Sequence, residues 1–580
     1  MFRDYQLTID KILNYSLFIA PKQKIIYSPP GHRKVEYTYK EFVARINKLG
    51  NILEMLGAKR ASKAWEMGTR VAIMDWNSSR YLELLYAVSM YGAVAYSVNI
   101  RLAPEEIIYT MNVAEPETLF IYTDFIPYLK IIVDNVKSLR NIVIMSDEST
   151  CEGRKYPIDE IRSKLGKLDV YEYEELLESP KKTYAWPELD ERVVAGMFFT
   201  SGTTGRPKGV YHTHRQMLLS SLQILIALME YPSRVSNRDT TLMLTPFFHI
   251  FGWMSPYYNI LVGNKVILPG RYKWDHIALL VRDLIPETKK VGGRVIAMGV
   301  PTMLYSIIQE AKKAGVKNLS GFVFGYGGEA LPISVYEEAK SMNIDIITGY
   351  GPSETLTAIT RIIYIPRLWM EMGLDDNTLR DHFVKNNSLG VPIPLNLIKA
   401  VDDKGDEVPQ DGKTPGKILL YAPSLTREYY KDLEKTERAW RYGYFDVDDI
   451  VTIDPYGCVI FIDREKDAIK SGGEWIPSSR LEGFISRHPA IAEVAVIAAP
   501  HEKWVERPVA IAVPHSEYKD KVTENEVKEF LLKEFVEKGL MPKWWIPDRV
   551  IFVNELPKTS TEKINKRAIR ERLEEYLSPS

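Results

Sequence analysis

Through the first two-thirds of the chain, short apolar runs rich in β-branched residues alternate with stretches in which apolar positions recur every three or four residues. Arg70-Val71-Ala72-Ile73-Met74 is an early run of the first kind, and Tyr81 to Tyr91 follows with helical spacing. The rhythm returns at Asn141 to Met145, Lys265 to Leu268, Arg294 to Met298, Gly321 to Phe324 and Asp345 to Ile347. Such alternation predicts an α/β fold of parallel sheets covered by helices. From about Ser388 the texture changes to short strands separated by turn clusters at Asp402-Asp403-Lys404-Gly405, Gln410-Asp411-Gly412 and Asp454-Pro455-Tyr456-Gly457, which predicts a β-rich subdomain over about 388–462. The charged run Asp463-Arg464-Glu465-Lys466-Asp467 suits an exposed connector. Beyond it, strand patterns at Glu493 to Ala499 and Val509 to Val513 and a helical pattern at Glu524 to Lys538 predict a small α/β unit. The expected organisation is a large N-terminal domain, 1–462, a connector, 463–467, and a C-terminal domain, 468–580.

Length agrees with more than one lobe: 580 residues, 45% hydrophobic, exceed what one compact domain holds. The 75 Lys plus Arg nearly balance 76 Asp plus Glu, so no global field draws the protein to nucleic acid or anionic lipid; nucleic acid is not an expected partner, and any contact with lipid is expected to be peripheral. Cys151 and Cys458 stand far apart without a CxxC, which excludes a disulfide framework or a structural zinc site and makes a reducing cytoplasm the expected location. Met1 to Leu13 mixes charged and apolar residues and predicts no secretory leader. No run approaches the ~20 apolar residues of a membrane span, so no transmembrane segment is expected. Whether the chain forms a homodimer stays open at this level.

The strongest chemical signal follows the strand pattern Val193 to Phe199. Thr200-Ser201-Gly202-Thr203-Thr204-Gly205-Arg206-Pro207-Lys208-Gly209 combines glycines that let backbone approach an anion, four hydroxyl donors and the charge of Lys208. These are the ingredients of a polyphosphate cradle, and the GxxxxGK[ST] pattern of P-loop enzymes is absent. Two more glycine-rich segments, Gly327-Gly328-Glu329-Ala330-Leu331-Pro332 and Thr348-Gly349-Tyr350-Gly351-Pro352-Ser353-Glu354-Thr355, each follow an apolar strand pattern, where open α/β sheets bind ligands.

The run Thr200 to Gly209 resembles the signature loop of the adenylate-forming superfamily, which includes acyl-CoA synthetases, peptide-synthetase adenylation domains and beetle luciferases, and further superfamily segments follow in order to the C-terminus. The resemblance implies an acid–thiol ligase that makes an acyl adenylate from ATP and passes the acyl group to CoA. It implies nucleotide contacts from Thr200, Ser201, Gly202, Thr203, Thr204 and Lys208, an adenine pocket at Gly328, Glu329, Gly349 and Tyr350, and Ser353 near the α-phosphate. Thr200 and Glu354 become the expected Mg2+ ligands; a hard carboxylate oxygen suits that ion. In Tyr444-Phe445-Asp446-Val447-Asp448-Asp449, Val447-Asp448 replaces the family's Thr-Gly, and Asp449 is the expected ribose ligand. Arg464 and Lys470 fall on further nucleotide-contacting positions, Lys466 on the hinge of a mobile C-terminal domain, and Gly472 on the CoA-facing turn. Pro557-Lys558-Thr559-Ser560-Thr561-Glu562-Lys563 resembles the segment carrying the catalytic lysine, here Lys563, with Glu562 where glycine is usual.

Pro246-Phe247-Phe248-His249-Ile250-Phe251-Gly252-Trp253 resembles the segment bordering the acyl pocket, to which His249, Trp253, Gly351 and Trp475 are assigned. Gly351 stands where acetyl-CoA synthetases carry tryptophan, so room for a longer acid is expected. Gly390 to Pro394, Ser471 to Ile476 and Pro500 to Pro508 look most like medium- and long-chain fatty acyl-CoA synthetases, in which a tryptophan at the position of Trp253 can gate the tunnel. Open alternatives are a ligase for short, branched or hydroxylated acids, an adenylation enzyme that loads a carrier protein, and a non-catalytic nucleotide-binding homologue.

Overall fold

The computed structural model describes residues 4–147, 158–165, 168–178, 181–200, 206–229, 233–361, 373, 388–472, 474–558 and 564–577. A first sheet has the strand order Asp169–Glu172, Asn141–Met145, Thr118–Tyr122, Arg70–Met74, Val94–Ser97, Val194–Thr200, Lys208–Thr213. All neighbours are parallel except the last pair, an antiparallel hairpin. Its inner strands Asn141–Met145, Thr118–Tyr122, Arg70–Met74 and Val94–Ser97 are mostly apolar and buried, as a parallel sheet covered on both faces requires. Helix Ser79–Tyr91 is buried at every residue; it is capped at its start by the Ser78 hydroxyl, which accepts from Tyr81 N, and closed by Gly92 at φ +88°.

A second sheet begins at the edge pair Val35–Thr38 and Lys24–Tyr27 and continues through the parallel strands Lys265–Leu268, Thr240–Leu242, Val295–Gly299, Phe322–Tyr326 and Asp345–Tyr350. It does not stop there. Thr360–Arg361 and Ser388–Pro392 carry the ladder into the antiparallel strands Val459–Arg464, Tyr444–Ile453, Gly416–Tyr421 and Leu397–Val401. The β-rich region expected from residue 388 is thus hydrogen-bonded onto the parallel sheet while keeping its own core, which includes Ile418, Leu420, Phe445 and Val451.

The C-terminal part is a separate α/β unit. Five strands, Glu474–Ile476, Ile469–Ser471, Val505–Pro514, Ile491–His501 and Arg549–Phe552, bury apolar clusters drawn only from residues 469–577. The helix expected over 524–538 is α-helical across Glu524–Leu531 and then widens to a π turn, Leu532–Val536, with Phe535 beside Phe484 at 4.5 Å.

The run 463–467 is not the exposed connector its charges suggest. Asp463 is 3% exposed; its carboxylate accepts from Ser478 N at 2.6 Å and Arg464 N at 2.9 Å. Lys566 faces it while donating to Ser478 Oγ and pairing with Glu482, each at 2.7 Å. Glu465 pairs with Lys417 at 2.7 Å, and Asp467 with Arg570. Partners on both sides hold a charge run that in isolation reads as solvated and take Asp463 out of water, while Arg464 keeps an exposed face.

Candidate active site

The loop that leaves the carboxyl end of Asp345–Tyr350 is tied to the hairpin Val194–Thr200/Lys208–Thr213 through one crossing segment. Thr200 and Lys208 are cross-strand partners in that hairpin. Tyr430 N donates to Gly209 O at 2.8 Å and Val210 bridges to Tyr429, which lays the segment Thr426 to Tyr430 over the hairpin. The Lys208 ammonium then stands 4.5 Å from the centre of the Tyr429 ring. The Tyr429 hydroxyl donates to Glu354 Oε1 at 2.7 Å, and Thr426 N donates to Glu354 O at 2.7 Å. Burial first, then the Glu354 charge, holds the Tyr429 pKa far above its ordinary value, so the phenol is a donor at every physiological pH.

A second set of bonds fixes the neighbouring corner. Asp449 and Arg464 are cross-strand partners, and their side chains pair at 2.9 Å. The Tyr350 hydroxyl donates to the other Asp449 oxygen. Burial raises the Asp449 pKa against the opposing pull of Arg464, and the Asp449 charge raises that of Arg464 in turn. The two neighbouring aspartates differ: Asp449 is 1% exposed, whereas Asp448 is exposed at φ +59°, a left-handed conformation that aspartate tolerates better than most residues. Glu354 contributes to the electrostatics of both Tyr350 and Arg464, which makes the two sets one constellation.

Beside it lies a strained apolar wall. Five consecutive residues, Ile250 to Met254, have φ between +45° and +60°, a full left-handed turn that costs about 1–2 kcal/mol for each non-glycine residue. Gly252 N closes it onto His249 O at 2.9 Å. The turn survives because its side chains are seated. The Phe251 ring fills the space over Gly196, its Cζ 2.5 Å from where a Cβ would lie, and meets Phe198 edge-on at 5.2 Å. The Trp253 indole lies against Gly327, 3.2 Å from the corresponding Cβ position.

Residues 20–430 match the model of the AMP-binding enzyme family, and residues 480–563 that of the AMP-binding enzyme C-terminal domain. The chain belongs to the AMP-binding enzyme family. Within it the chain falls in the acyl-CoA ligase branch. It is 35% identical to a long-chain-fatty-acid–CoA ligase of Thermus thermophilus, over 93% of this chain and 90% of that one. It is 32% identical to a 3-methylmercaptopropionyl-CoA ligase of Ruegeria lacuscaerulensis, over 99% and 98%. The fold is shared with the anthranilate CoA ligase AuaEII, TM-score 0.77 at 22% identity over 97% of this chain and 96% of that one.

Of the residues expected in this family's site, the structure brings Thr200, Lys208, Tyr350, Glu354, Asp449 and Arg464 together and sets Gly349 and Gly327 beneath them, a Cβ on Gly327 falling 3.0 Å from Gly349 O. Gly328 (φ +80°), Glu329 and Ser353 lie on the loops that continue from those strands. Ser201, Gly202, Thr203, Thr204 and Lys563 lie outside the described residues. Lys470 and Trp475 are cross-strand partners in the C-terminal sheet, the Lys470 ammonium 5.1 Å from the Trp475 ring, and Gly472 lies in the turn after Ile469–Ser471, its N donating to Trp504 O at 2.8 Å. Lys466 is half-buried, and burial lowers its pKa. The room expected at Gly351 is not there: a Cβ would fall 2.3 Å from Thr357 O, so glycine is required by the backbone passing over it. Tyr429 and Thr426 went unread because Ser424 to Tyr430 carries no glycine or spacing signal; only the aromatic pair in a charged stretch stands out.

Proposed function

We propose that the enzyme activates a medium- or long-chain fatty acid with MgATP to an acyl adenylate and transfers the acyl group to CoA in the cytoplasm, as part of fatty acid metabolism. The observation that carries this reading is the single constellation Lys208–Tyr429–Glu354–Tyr350–Asp449–Arg464 lying next to an aromatic wall at Trp253. Lys208 and Thr200 face the phosphates, Asp449 accepts from the ribose hydroxyls, and Tyr350 packs on the base.

The residues present fit a magnesium ion brought in with the nucleotide. The Tyr429 hydroxyl donates to Oε1 of Glu354, which orients the carboxylate. An ion held by one carboxylate, the Thr200 hydroxyl and substrate phosphates is the arrangement Mg2+ favours. When bound, the ion neutralises charge on the phosphates. Glu354 orients it, Ser353 stands by the α-phosphate, and Lys563 holds the attacking carboxylate so that pyrophosphate leaves in line.

The chain divides functionally at 1–462, 463–467 and 468–580, and rotation about Lys466 exchanges Lys563 for the Gly472 turn, beside which CoA enters. Lys470 and Trp475 travel with that lobe. His249 and Trp253 border the acid, whose methylenes each gain roughly 0.8 kcal/mol on burial against such walls.

A shorter acid is the second reading, favoured by the Thr357 carbonyl over Gly351 and by the name of the Ruegeria relative. Consumption of free CoA with release of AMP, assayed over saturated acids from two to eighteen carbons, decides between them. Preference for eight carbons or more is expected; preference for acids of four carbons or fewer selects the second reading.

A further inference from the structure

Asn77 leaves the first sheet just after strand Arg70–Met74 and reaches the second. It is 2% exposed, and its amide is committed to one stretch of backbone: Nδ2 donates to Met243 O at 2.9 Å and to Thr245 O at 2.8 Å, and Oδ1 accepts from Phe247 N at 2.9 Å. Met243 and Thr245 follow the end of strand Thr240–Leu242 and Phe247 opens the turn after it, so one side chain bonds the exit of that strand at three backbone atoms. The Tyr272 hydroxyl fastens the same segment at Leu244 O, 2.6 Å, and Thr245 Oγ1 fastens it to Met298 O, 2.9 Å.

The left-handed turn stands on this base. A Cβ on Gly252 would lie 2.8 Å from the Phe247 ring and 3.1 Å from Thr245 O, and Thr245 O is one of the atoms Asn77 holds. Backbone in the left-handed region persists only where its surroundings over-determine it. From these contacts we infer that Asn77 is a positioning residue for acid selection: its three hydrogen bonds fix residues 243–247, which hold the turn 250–254 and so keep the Trp253 indole over Gly327. This rests on the reading of Trp253 as part of the acyl wall.

Asn77→Ala removes all three bonds, and Asn77→Asp keeps the size but cannot donate to either carbonyl. For each, the relative kcat/KM values over a graded series of acids are measured within one preparation, so a reduced folded fraction cancels. The ratio between the best acid and its neighbours in the series changes by about 10-fold or more, while KM for ATP stays within about 2-fold. If neither variant can be purified, Tyr272→Phe and Thr245→Val, which each remove one lesser tether, change the same ratios in a smaller measure. Unchanged ratios in the variants obtained overturn the inference. Trp253→Ala is run alongside. If it moves the ratios and the Asn77 variants do not, the inference fails and the acyl wall stands. If Trp253→Ala leaves them unchanged, the wall itself is misassigned and the inference falls with it.

Discussion

The corner assigned to the nucleotide and the wall assigned to the acid meet at the ends of strands Phe322–Tyr326 and Asp345–Tyr350, and they are built by opposite means. The corner is a chain of short polar bonds between residues that strand pairing already sets side by side, as Asp449 with Arg464 and Thr200 with Lys208. The wall is a left-handed turn held by ring packing on Gly196 and Gly327 and by an amide from another sheet. On the proposed reading, a polar corner of this kind acts on any acid alike, because its geometry is fixed by the ladder. On the same reading, a wall whose shape depends on remote seats decides which acid is accepted.

That contrast can be broken at its strongest point first. Glu354→Gln is expected to lower acid-dependent adenylation by about 10²–10³-fold for every acid equally, because the electrostatic support at the phosphates is lost. A loss confined to some acids would merge the two regions. Asp449→Asn leaves Arg464 without its buried counter-charge and is expected to raise KM for ATP by about 10-fold or more, with acid preference unchanged. Trp253→Ala is expected to do the reverse, redistributing kcat/KM among acids by about 10-fold with KM for ATP nearly constant.

The smallest effect concerns the layer under the wall. His212 is fully buried and stacks on Phe198 at 5.8 Å, and burial pushes its pKa down from 6.5 to about 3. A folded-state pKa below the unfolded value gives a contribution that is whole above pH 6.5 and is lost as pH falls through the window between 6.5 and about 3, since the unfolded chain binds the proton first. Between pH 7 and 5.5 the wild type should therefore lose about 1 kcal/mol more stability than His212→Phe, which denaturant unfolding at the two pH values measures. Equal losses would mean that His212 is hydrated in the folded protein.

Legibility in the sequence follows the same division. Strands Asn141–Met145 and Lys265–Leu268 have the bounds that apolar periodicity predicts, because burial on both faces leaves little choice of residue. The corner is legible in part: the glycine- and hydroxyl-rich run Thr200 to Gly209 carries a local phosphate signal, Tyr350, Asp449 and Arg464 come from the family resemblance, and Tyr429 has no signal of its own. The wall is legible only as aromatic residues; neither Asn77 nor the left-handed turn has a local signal, since both depend on contacts between sheets. The run 463–467 misleads for the same reason. Its acidic charges are opposed by Lys566, Lys417 and Arg570, all distant in sequence, and Ser478 N donates to Asp463.

The central claim, that an acid-indifferent polar corner activates what a separate wall selects, is tested most directly by exchange of labelled pyrophosphate into ATP without CoA, measured across the acid series. Wild type should exchange with acids of eight carbons or more and not with acetate; Trp253→Ala should alter which acids support exchange, and Glu354→Gln should depress exchange for all of them in proportion. Exchange in wild type that is best with acetate, or a Glu354→Gln profile reordered rather than scaled, would contradict the account.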